Sequence, residues 1–105
     1  MMVLIKYSYE YMSYRLTKKI QDKARLFSLA GDPTRLRIMC YMFDNKEACV
    51  SEIADALGMS IASISHHLQM MHADGIFEKE RQGTHICYKL VSNDFTKCIK
   101  GYICK

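Results

Sequence analysis

Three polar side chains, those of Ser65, His66 and Gln69, stand at spacings that place them on one side of a helix. Glutamine can pair with adenine through both its donor and its acceptor, and serine can donate to or accept from a base edge. The small side chain of Ala62 would allow close approach and could contact a thymine methyl group. The pattern favours hydrogen bonding to DNA bases; the alternative interpretation is the ordinary polar face of a surface helix.

The helix that carries these side chains is predicted to begin after Ser60 and to end near Ala73. Ser60 offers a side-chain oxygen that can cap the helix, and Ser63 lies at the edge of the polar side. The other side of the helix is predicted to be a buried apolar stripe with steps of three and four residues, formed by Ile61, Ile64, Leu68 and Met71.

A shorter helix is predicted before it, capped by Ser51 and ending at Leu57, where Gly58 supplies a left-handed residue. Two short helices joined by a tight turn that contains glycine form a helix-turn-helix unit, here residues 51–73. The second helix of such a unit can enter a DNA major groove.

Residues 76–90 predict a β-hairpin that follows this unit as a wing. Two extended runs, 76–80 and 85–90, flank residues 81–84, which contain a glycine. Basic and polar side chains of the hairpin would lie along the DNA phosphates, with the wing tip in the minor groove. The side chains expected there are Lys79, Arg81, Gln82, His85 and Lys89, whereas Glu78 and Glu80 are expected to face away. A charged hairpin that only faces solvent is the alternative.

Helices are also predicted on both sides of this region. Asp32 as N-cap and Pro33 in the first turn begin a second helix, residues 45–47 form a loop, and Ser92 caps a last helix over residues 92–105. A first helix, ending near residues 30–31, is predicted from the apolar repeat of Leu16, Ile20, Ala24 and Phe27.

The fold class predicted from this order is mainly α with a small β-hairpin. It is a winged helix-turn-helix with about five to six helices and a two-stranded wing. Residues 1–15 are ambiguous between strand and helix. Because they are apolar and rich in tyrosine, we expect them to be buried against a partner subunit as a dimerisation segment.

The composition predicts one globular domain, residues 1–105, with a net charge of +4 that suits a polyanionic partner without requiring one. The five cysteines are odd in number and irregularly spaced, and no secretory segment precedes them. We therefore expect reduced thiols in a cytoplasm and no disulfide scaffold. The apolar start of the chain, MMVLI, is too short for a membrane span, so no membrane partner is expected.

Motifs of common enzyme classes are missing from the sequence. It contains no glycine-rich phosphate loop, no Gly-x-Ser-x-Gly elbow, no HExxH run and no recognisable pair of catalytic carboxylates. An enzyme is therefore not expected.

From residue 27 to residue 90 the chain resembles the ArsR/SmtB-type transcriptional repressors of bacteria and archaea. The matching stretches are FSLAGDPTRLRIMCYM at 27–42 and residues 49–90, which include SISHHL, ADGI and a glycine-tipped hairpin ending in YKL. The resemblance implies a homodimer on an imperfect inverted repeat of double-stranded DNA. It also implies that the first and last helices form the dimer interface and that an inducer releases the DNA.

Many members of this family sense arsenite or soft metals through thiolates in a Cys-Val-Cys-Asp-Leu run at the third helix. This chain has Cys49-Val50-Ser51-Glu52-Ile53 there, so one thiol matches and a serine, a poor soft-metal ligand, replaces the second. No cofactor is therefore certain. A site for arsenite or a soft divalent metal ion would have to combine Cys49 with Cys98 and Cys104. The zinc site of some relatives is not expected, because Thr96 stands where a histidine is needed.

Other members of the family pair one cysteine in the second helix with one in the last helix as a redox or persulfide switch. Cys40 matches the first of these positions, and Cys104 or Cys98 could be the second. A thiolate sensor needs a lowered pKa, which the nearby lysines at positions 97, 100 and 105 favour for the C-terminal thiols. The alternative for each cysteine is a small buried apolar residue.

A further alternative is a winged-helix module that binds protein instead of DNA. Such a module would usually expose apolar side chains on the free side of its helix-turn-helix, where this chain has serine, histidine and glutamine.

Overall fold

Residues 14–103 are described by a computed structural model. It confirms the predicted winged helix-turn-helix. Within these residues the chain forms five helices and one antiparallel sheet of three strands. The prediction for residues 1–13 lies outside the described residues. The elements are α1 (Lys18–Ala30), α2 (Pro33–Asn45), β1 (Glu47–Cys49), α3 (Val50–Leu57), α4 (Ile61–Ala73), β2 (Phe77–Gln82), β3 (His85–Leu90) and α5 (Asp94–Ile103).

The first two helices begin at side-chain caps. The hydroxyl of Thr17 accepts a hydrogen bond from the backbone N–H of Ile20 at 3.2 Å. The carboxylate of Asp32 accepts one from the N–H of Arg35 at 3.0 Å, and Pro33 follows in the first turn. Each cap satisfies a backbone donor that the helix itself leaves unpaired, so the predicted start of α2 is confirmed.

The turn between α3 and α4 also follows the prediction. Gly58 adopts φ +67°, a left-handed conformation that ends α3. Ser60 then begins α4, because its Oγ accepts a hydrogen bond from the N–H of Ser63 at 3.1 Å. Only two residues, Met59 and Ser60, separate Gly58 from α4, so the angle between the two helices is tightly fixed.

A short strand, β1, replaces part of the loop predicted at residues 45–47. It pairs antiparallel with β3, so the wing is two strands of a three-stranded sheet with the order β1-β3-β2. The last residue of β1, Cys49, is also the N-cap of α3, and its N–H donates to the carboxylate of Glu52 at 3.0 Å. The predicted cap, Ser51, instead lies in the first turn of α3.

The hairpin has a tighter turn than predicted. Gln82 pairs with His85, so β2 extends to Gln82 and only Gly83 and Thr84 form the turn. Gly83 has φ +64°, the positive value that the first position of a type II′ turn requires.

The start of α5 differs from the prediction by one residue. Asn93, and not Ser92, is the cap, since its Oδ1 accepts from the N–H of Thr96 at 2.9 Å while the Thr96 Oγ1 accepts from the N–H of Asn93 at 3.0 Å. The buried Thr96 hydroxyl donates to the carbonyl of Val91 at 2.9 Å, which fastens α5 to the end of β3. Thr96 therefore has a structural role at this position.

The core lies between the helices and the inner face of the sheet. Its fully buried side chains come from α2, α3, α4 and the hairpin and include Ile38, Met39, Met42, Ile53, Ile64, Leu68, Met71, Phe77 and Tyr88. No helix within residues 14–103 is long and apolar enough to cross a membrane.

Candidate nucleic-acid interface

The fourth helix, α4, presents a polar surface to solvent and an apolar surface to the core. Ala62, His66 and Gln69 are exposed, and Ser63 and Ser65 are half-buried at the margin. The opposite residues, Ile64, Leu68 and Met71, are completely buried. The polar side predicted for base contacts is thus free to meet a partner.

Ile61 contradicts the predicted buried stripe, because 59% of its surface is exposed. It is the first residue of α4, one turn before the buried Ile64. It shares the lining of a surface groove with Ile86 of β3, which is 37% exposed. The side of α4 that faces away from the core therefore has an apolar margin.

On α4, side chains predicted for DNA contacts already have hydrogen bonds within the chain. The Gln69 Nε2 donates to the Ser65 Oγ at 3.3 Å, which holds the amide along the helix surface. The Ser60 Oγ accepts the capping hydrogen bond, and its hydroxyl hydrogen can still donate to a partner.

Arginines of α2, which the sequence-based interpretation missed, hold the helix-turn-helix in position. The Arg37 Nη2 donates to the carbonyl of Leu57 at 2.9 Å, at the last turn of α3. The Arg35 Nη2 contacts the Met70 sulfur of α4 at 3.8 Å. A signal for this role was present in the sequence, since two arginines in the first two turns of a helix predicted to be half-buried need acceptors nearby.

The two strands of the wing divide the predicted phosphate contacts between opposite faces. Directly opposite residues share a face, and Lys79 pairs with Tyr88 while Arg81 pairs with Ile86. The other face carries Gln82, His85 and Lys89 together with Glu78 and Glu80. Glu78 and Glu80 therefore face away from Lys79 and Arg81, as expected. They share a face with the other three side chains, contrary to the prediction. The reason is the two-residue period of a strand.

At the wing tip, side chains are held by short polar contacts. The Arg81 Nε donates to the carbonyl of Gly83 at 3.3 Å, so the guanidinium lies beside the turn. The Gln82 Nε2 donates to the Glu47 carboxylate of β1 at 3.4 Å. Lys79, Arg81, Gln82 and His85 are all exposed.

A groove of about 310 Å³ lies between α4 and the wing. Residues from β1, the start of α3, the first turns of α4 and the hairpin tip line it: Cys49, Val50, Ser51, Ile61, Ser65, Thr84, His85 and Ile86. The predicted base-contact helix and the predicted wing thus open onto one continuous surface.

The cysteines do not assemble as predicted for a metal site. Cys49 forms a disulfide with Cys87, so the expectation of reduced thiols is wrong for this pair. The reason is strand β1, which places Cys49 directly opposite Cys87. Cys98 is exposed on α5, and Cys104 lies outside the described residues. Between residues 14 and 103 no group of three or more histidine, cysteine or acidic side chains could hold a metal ion.

Cys40 lies in a different environment, half-buried on α2. It lines an apolar cavity of about 490 Å³ between α2, α3 and the end of α5, and Ile103 lines the same cavity. Ile103 immediately precedes Cys104 in the chain.

Comparison with known proteins identifies relatives that match most of the chain. The model of the arsR family of bacterial regulatory proteins matches residues 32–79. An uncharacterised HTH-type transcriptional regulator of Methanocaldococcus jannaschii is 35% identical over 83 residues, which are 79% of this chain and 93% of that protein. A transcriptional repressor SmtB homologue of Synechocystis sp. is 33% identical over 70% of this chain, but this chain spans only 54% of its length.

Solved structures share the architecture. The AntR antimony-specific transcriptional repressor matches with a TM-score of 0.74 and 26% identity. The match covers 85% of this chain and 81% of the AntR chain. A homodimeric winged helix-turn-helix DNA-binding domain from Mycobacterium bovis has a TM-score of 0.67 and 28% identity, with coverage of 76% and 73%. The family and fold are those of transcriptional regulators and not of enzymes. The chain belongs to the arsR family of bacterial regulatory proteins and is a transcriptional repressor with a DNA-binding winged helix.

Proposed function

We propose that the chain is a homodimeric repressor in which each protomer reads one half of an imperfect inverted repeat in double-stranded DNA. The observation that carries this proposal is the shared surface of α4 and the wing, where Ser65 of α4 and Thr84 and His85 of the hairpin line one groove. A helix in the major groove with a wing beside it can then contact bases and backbone together. Such a repressor acts where the DNA is, in the cytoplasm of a bacterium or archaeon.

Within this arrangement we assign the base edges to the exposed side of α4, through Ala62, Ser65, His66 and Gln69. Ser60 and Ser63 lie at the N-terminus of α4, where backbone N–H groups and hydroxyls suit a phosphate. The wing contributes the remaining phosphate contacts, through Lys79, Arg81, Gln82 and His85.

Exposed apolar side chains support the dimer. Ile20 and Phe27 of α1 and Tyr102 of α5 are 44%, 56% and 85% exposed, and Phe27 packs edge-on against Phe95 of α5 at 5.5 Å between ring centroids. Large apolar side chains exposed on two helices that touch each other are typical of a subunit interface. A two-fold axis would double the DNA contacts and match an inverted repeat.

For the signal that releases DNA, we propose a thiol switch between Cys40 and Cys104. The cavity that Cys40 shares with Ile103 supports it, because Cys104 is the next residue. Arsenite or a soft metal ion is the second candidate, favoured by the antimony specificity named for AntR. The described residues support a set of Cys49, Cys98 and Cys104 less well, since Cys49 is bonded to Cys87.

DNA binding is tested by measuring the affinity of the chain for a duplex selected from a randomised library. We expect binding to weaken steeply with salt, because bound phosphates release counterions. Arg81→Ala should weaken all duplexes about equally and lower the salt slope by about 1, whereas Lys18→Ala on α1 serves as a charge-matched control without effect. Absent or salt-insensitive binding to every duplex would favour a protein-binding module instead.

The chemical signal is identified by measuring which agents release the duplex from the protein. Anaerobic dimer is treated separately with arsenite, cadmium, zinc, peroxide and polysulfide, in the wild type and in single Cys→Ser variants. We expect peroxide or polysulfide to release DNA and Cys40→Ser to abolish that release. Release by arsenite that depends on Cys98 would support the metalloid candidate, and a response that no cysteine variant changes would exclude both.

A further inference from the structure

We propose that Cys49 and Cys87 form a reversible dithiol–disulfide pair that reacts with small thiols and disulfides on free protein and is shielded when the chain occupies its operator. The shielding rests on the proposed function, because it requires DNA to lie over α4 and the wing. The pair itself rests only on the sheet and on the groove.

The strand register brings the two sulfur atoms together. The Leu90 N–H donates to the Lys46 carbonyl at 3.0 Å, which makes these two residues a hydrogen-bonded pair of the antiparallel ladder. Hydrogen-bonded and non-hydrogen-bonded pairs alternate along such a ladder. Three steps on, Cys49 and Cys87 fall in a non-hydrogen-bonded pair, in which facing side chains are closest. Their sulfur atoms are bonded to each other.

The two sulfurs differ in access. Cys87, in β3, is 1% exposed, whereas Cys49 is half-buried and lines the groove between α4 and the wing. An external thiolate therefore reaches the Cys49 Sγ first, and Cys87 is the group that leaves. Thiol exchange requires approach to one particular sulfur, and the groove gives a route to Cys49.

Small thiols and small disulfides are the reaction partners of the Cys49–Cys87 pair. In reduction, an external thiolate attacks the Cys49 Sγ, the bond to Cys87 breaks, and the Cys87 thiolate takes up a proton. A second thiolate then attacks the external sulfur of the mixed disulfide and frees Cys49. In oxidation, the Cys49 thiolate attacks a small disulfide and expels one thiolate, and Cys87 then attacks Cys49 and expels the other. One small disulfide is thus converted into two thiols for each protein disulfide formed.

The walls of the groove are the surfaces assigned to DNA. Ser65 belongs to the base-contact side of α4, and Thr84 and His85 belong to the wing tip. DNA held by both elements would lie across the mouth of the groove and close the path to Cys49. Exchange would then be confined to protein that has left its operator.

The test uses the variant C40S/C98S/C104S, in which Cys49 and Cys87 are the two remaining cysteines. Oxidised glutathione should make the protein lighter by two hydrogen atoms and remove both alkylatable thiols. Dithiothreitol should then reduce it at least tenfold more slowly on a saturating selected duplex than without DNA. The matched control is C40S/C49S/C87S/C104S, whose exposed Cys98 should react with iodoacetamide at the same rate with and without the duplex.

Differential alkylation and peptide mapping of the wild type repeat the measurement without depending on the stability of a variant. Two thiols that stay fully alkylatable in oxidised glutathione would overturn the pair. Equal reduction rates on bound and free protein would overturn the shielding. A chain that forms the Cys49–Cys87 bond but binds no duplex would confirm the pair and overturn both the shielding and the proposed function.

Discussion

At the scale of single residues, Gln69 is the most informative side chain of α4. It is exposed, and its amide is held by Ser65 one turn earlier, so the side chain is partly ordered before any partner binds. Ordering in advance lowers the entropy that binding must overcome. His66 lies on the same side of α4 without such a contact to Ser65.

Gln69→Ala and His66→Ala are expected to weaken binding to the selected operator by about 1–3 kcal/mol each, because a base-edge contact is lost. Each variant should also relax the base preference at one position in each half-site. Binding to a panel of operators with single base changes, measured at fixed salt, checks both effects. A uniform loss on every duplex would instead assign these residues to the phosphates.

Tyr88 ties stability to pH. Burial raises the pKa of its phenol above the usual value of 10.0. The folded chain therefore holds this proton more tightly than the unfolded chain does. Its contribution is complete below pH 10 and is lost as the pH rises through the folded-state pKa.

The expected outcome is that the free energy of unfolding falls above about pH 10 in the wild type and falls less in Tyr88→Phe. Urea unfolding from about pH 8 to about pH 11 gives the comparison. Tyr102→Phe, which changes an exposed tyrosine, should follow the wild type. Parallel curves for the wild type and Tyr88→Phe would contradict the assignment.

At the scale of elements, the sequence predicted the helices well and the sheet only in part. The ends of α2, α3 and α4 were predictable because Asp32, Gly58 and Ser60 act on their own neighbours in the chain. Strand β1 was not, since three residues have no pattern of their own and form a strand only by pairing with β3, about forty residues later. The Cys49–Cys87 bond was missed for the same reason.

Two glycines give opposite predictions for the same change. Gly58→Ala should lower the free energy of unfolding by about 1–2 kcal/mol, because alanine is strained at φ +67° although the space around it is open. Gly101→Ala should raise it by about 0.5–1 kcal/mol, since this helical glycine also has open space for a methyl group. Urea unfolding of both variants is the measurement, and effects of the same sign would contradict this account.

At the scale of the whole molecule, helical periodicity was enough to select the exposed polar residues proposed for base contacts, but not the residues that pack around α4. Ile61 was placed in the core because periodicity describes the side of a helix and not where its neighbours end. The wing faces were divided wrongly because the alternation of side chains along β2 was not applied to its charged residues. The exposure of apolar residues on α1 and α5 was likewise not predictable from their spacing alone.

Ile20→Glu is expected to weaken the dimer at least tenfold, because it places a charge on the exposed apolar side of α1. The dissociation constant from sedimentation checks this, and operator affinity should fall with it. Gln21→Glu adds the same charge at the neighbouring exposed position and should leave the dimer intact. A monomer at all concentrations in the wild type would remove the basis for an inverted repeat.

The junction at Cys49 and Val50 has a mechanical consequence. Strand β1 ends at Cys49 and α3 begins at Val50, so no hinge residue separates the sheet from the helix-turn-helix. Because β1 pairs with β3, this junction couples the wing directly to the start of α3. A signal that moved α3 would therefore also move the sheet, and in a dimer it would change the distance between the two surfaces formed by α4 and the wing.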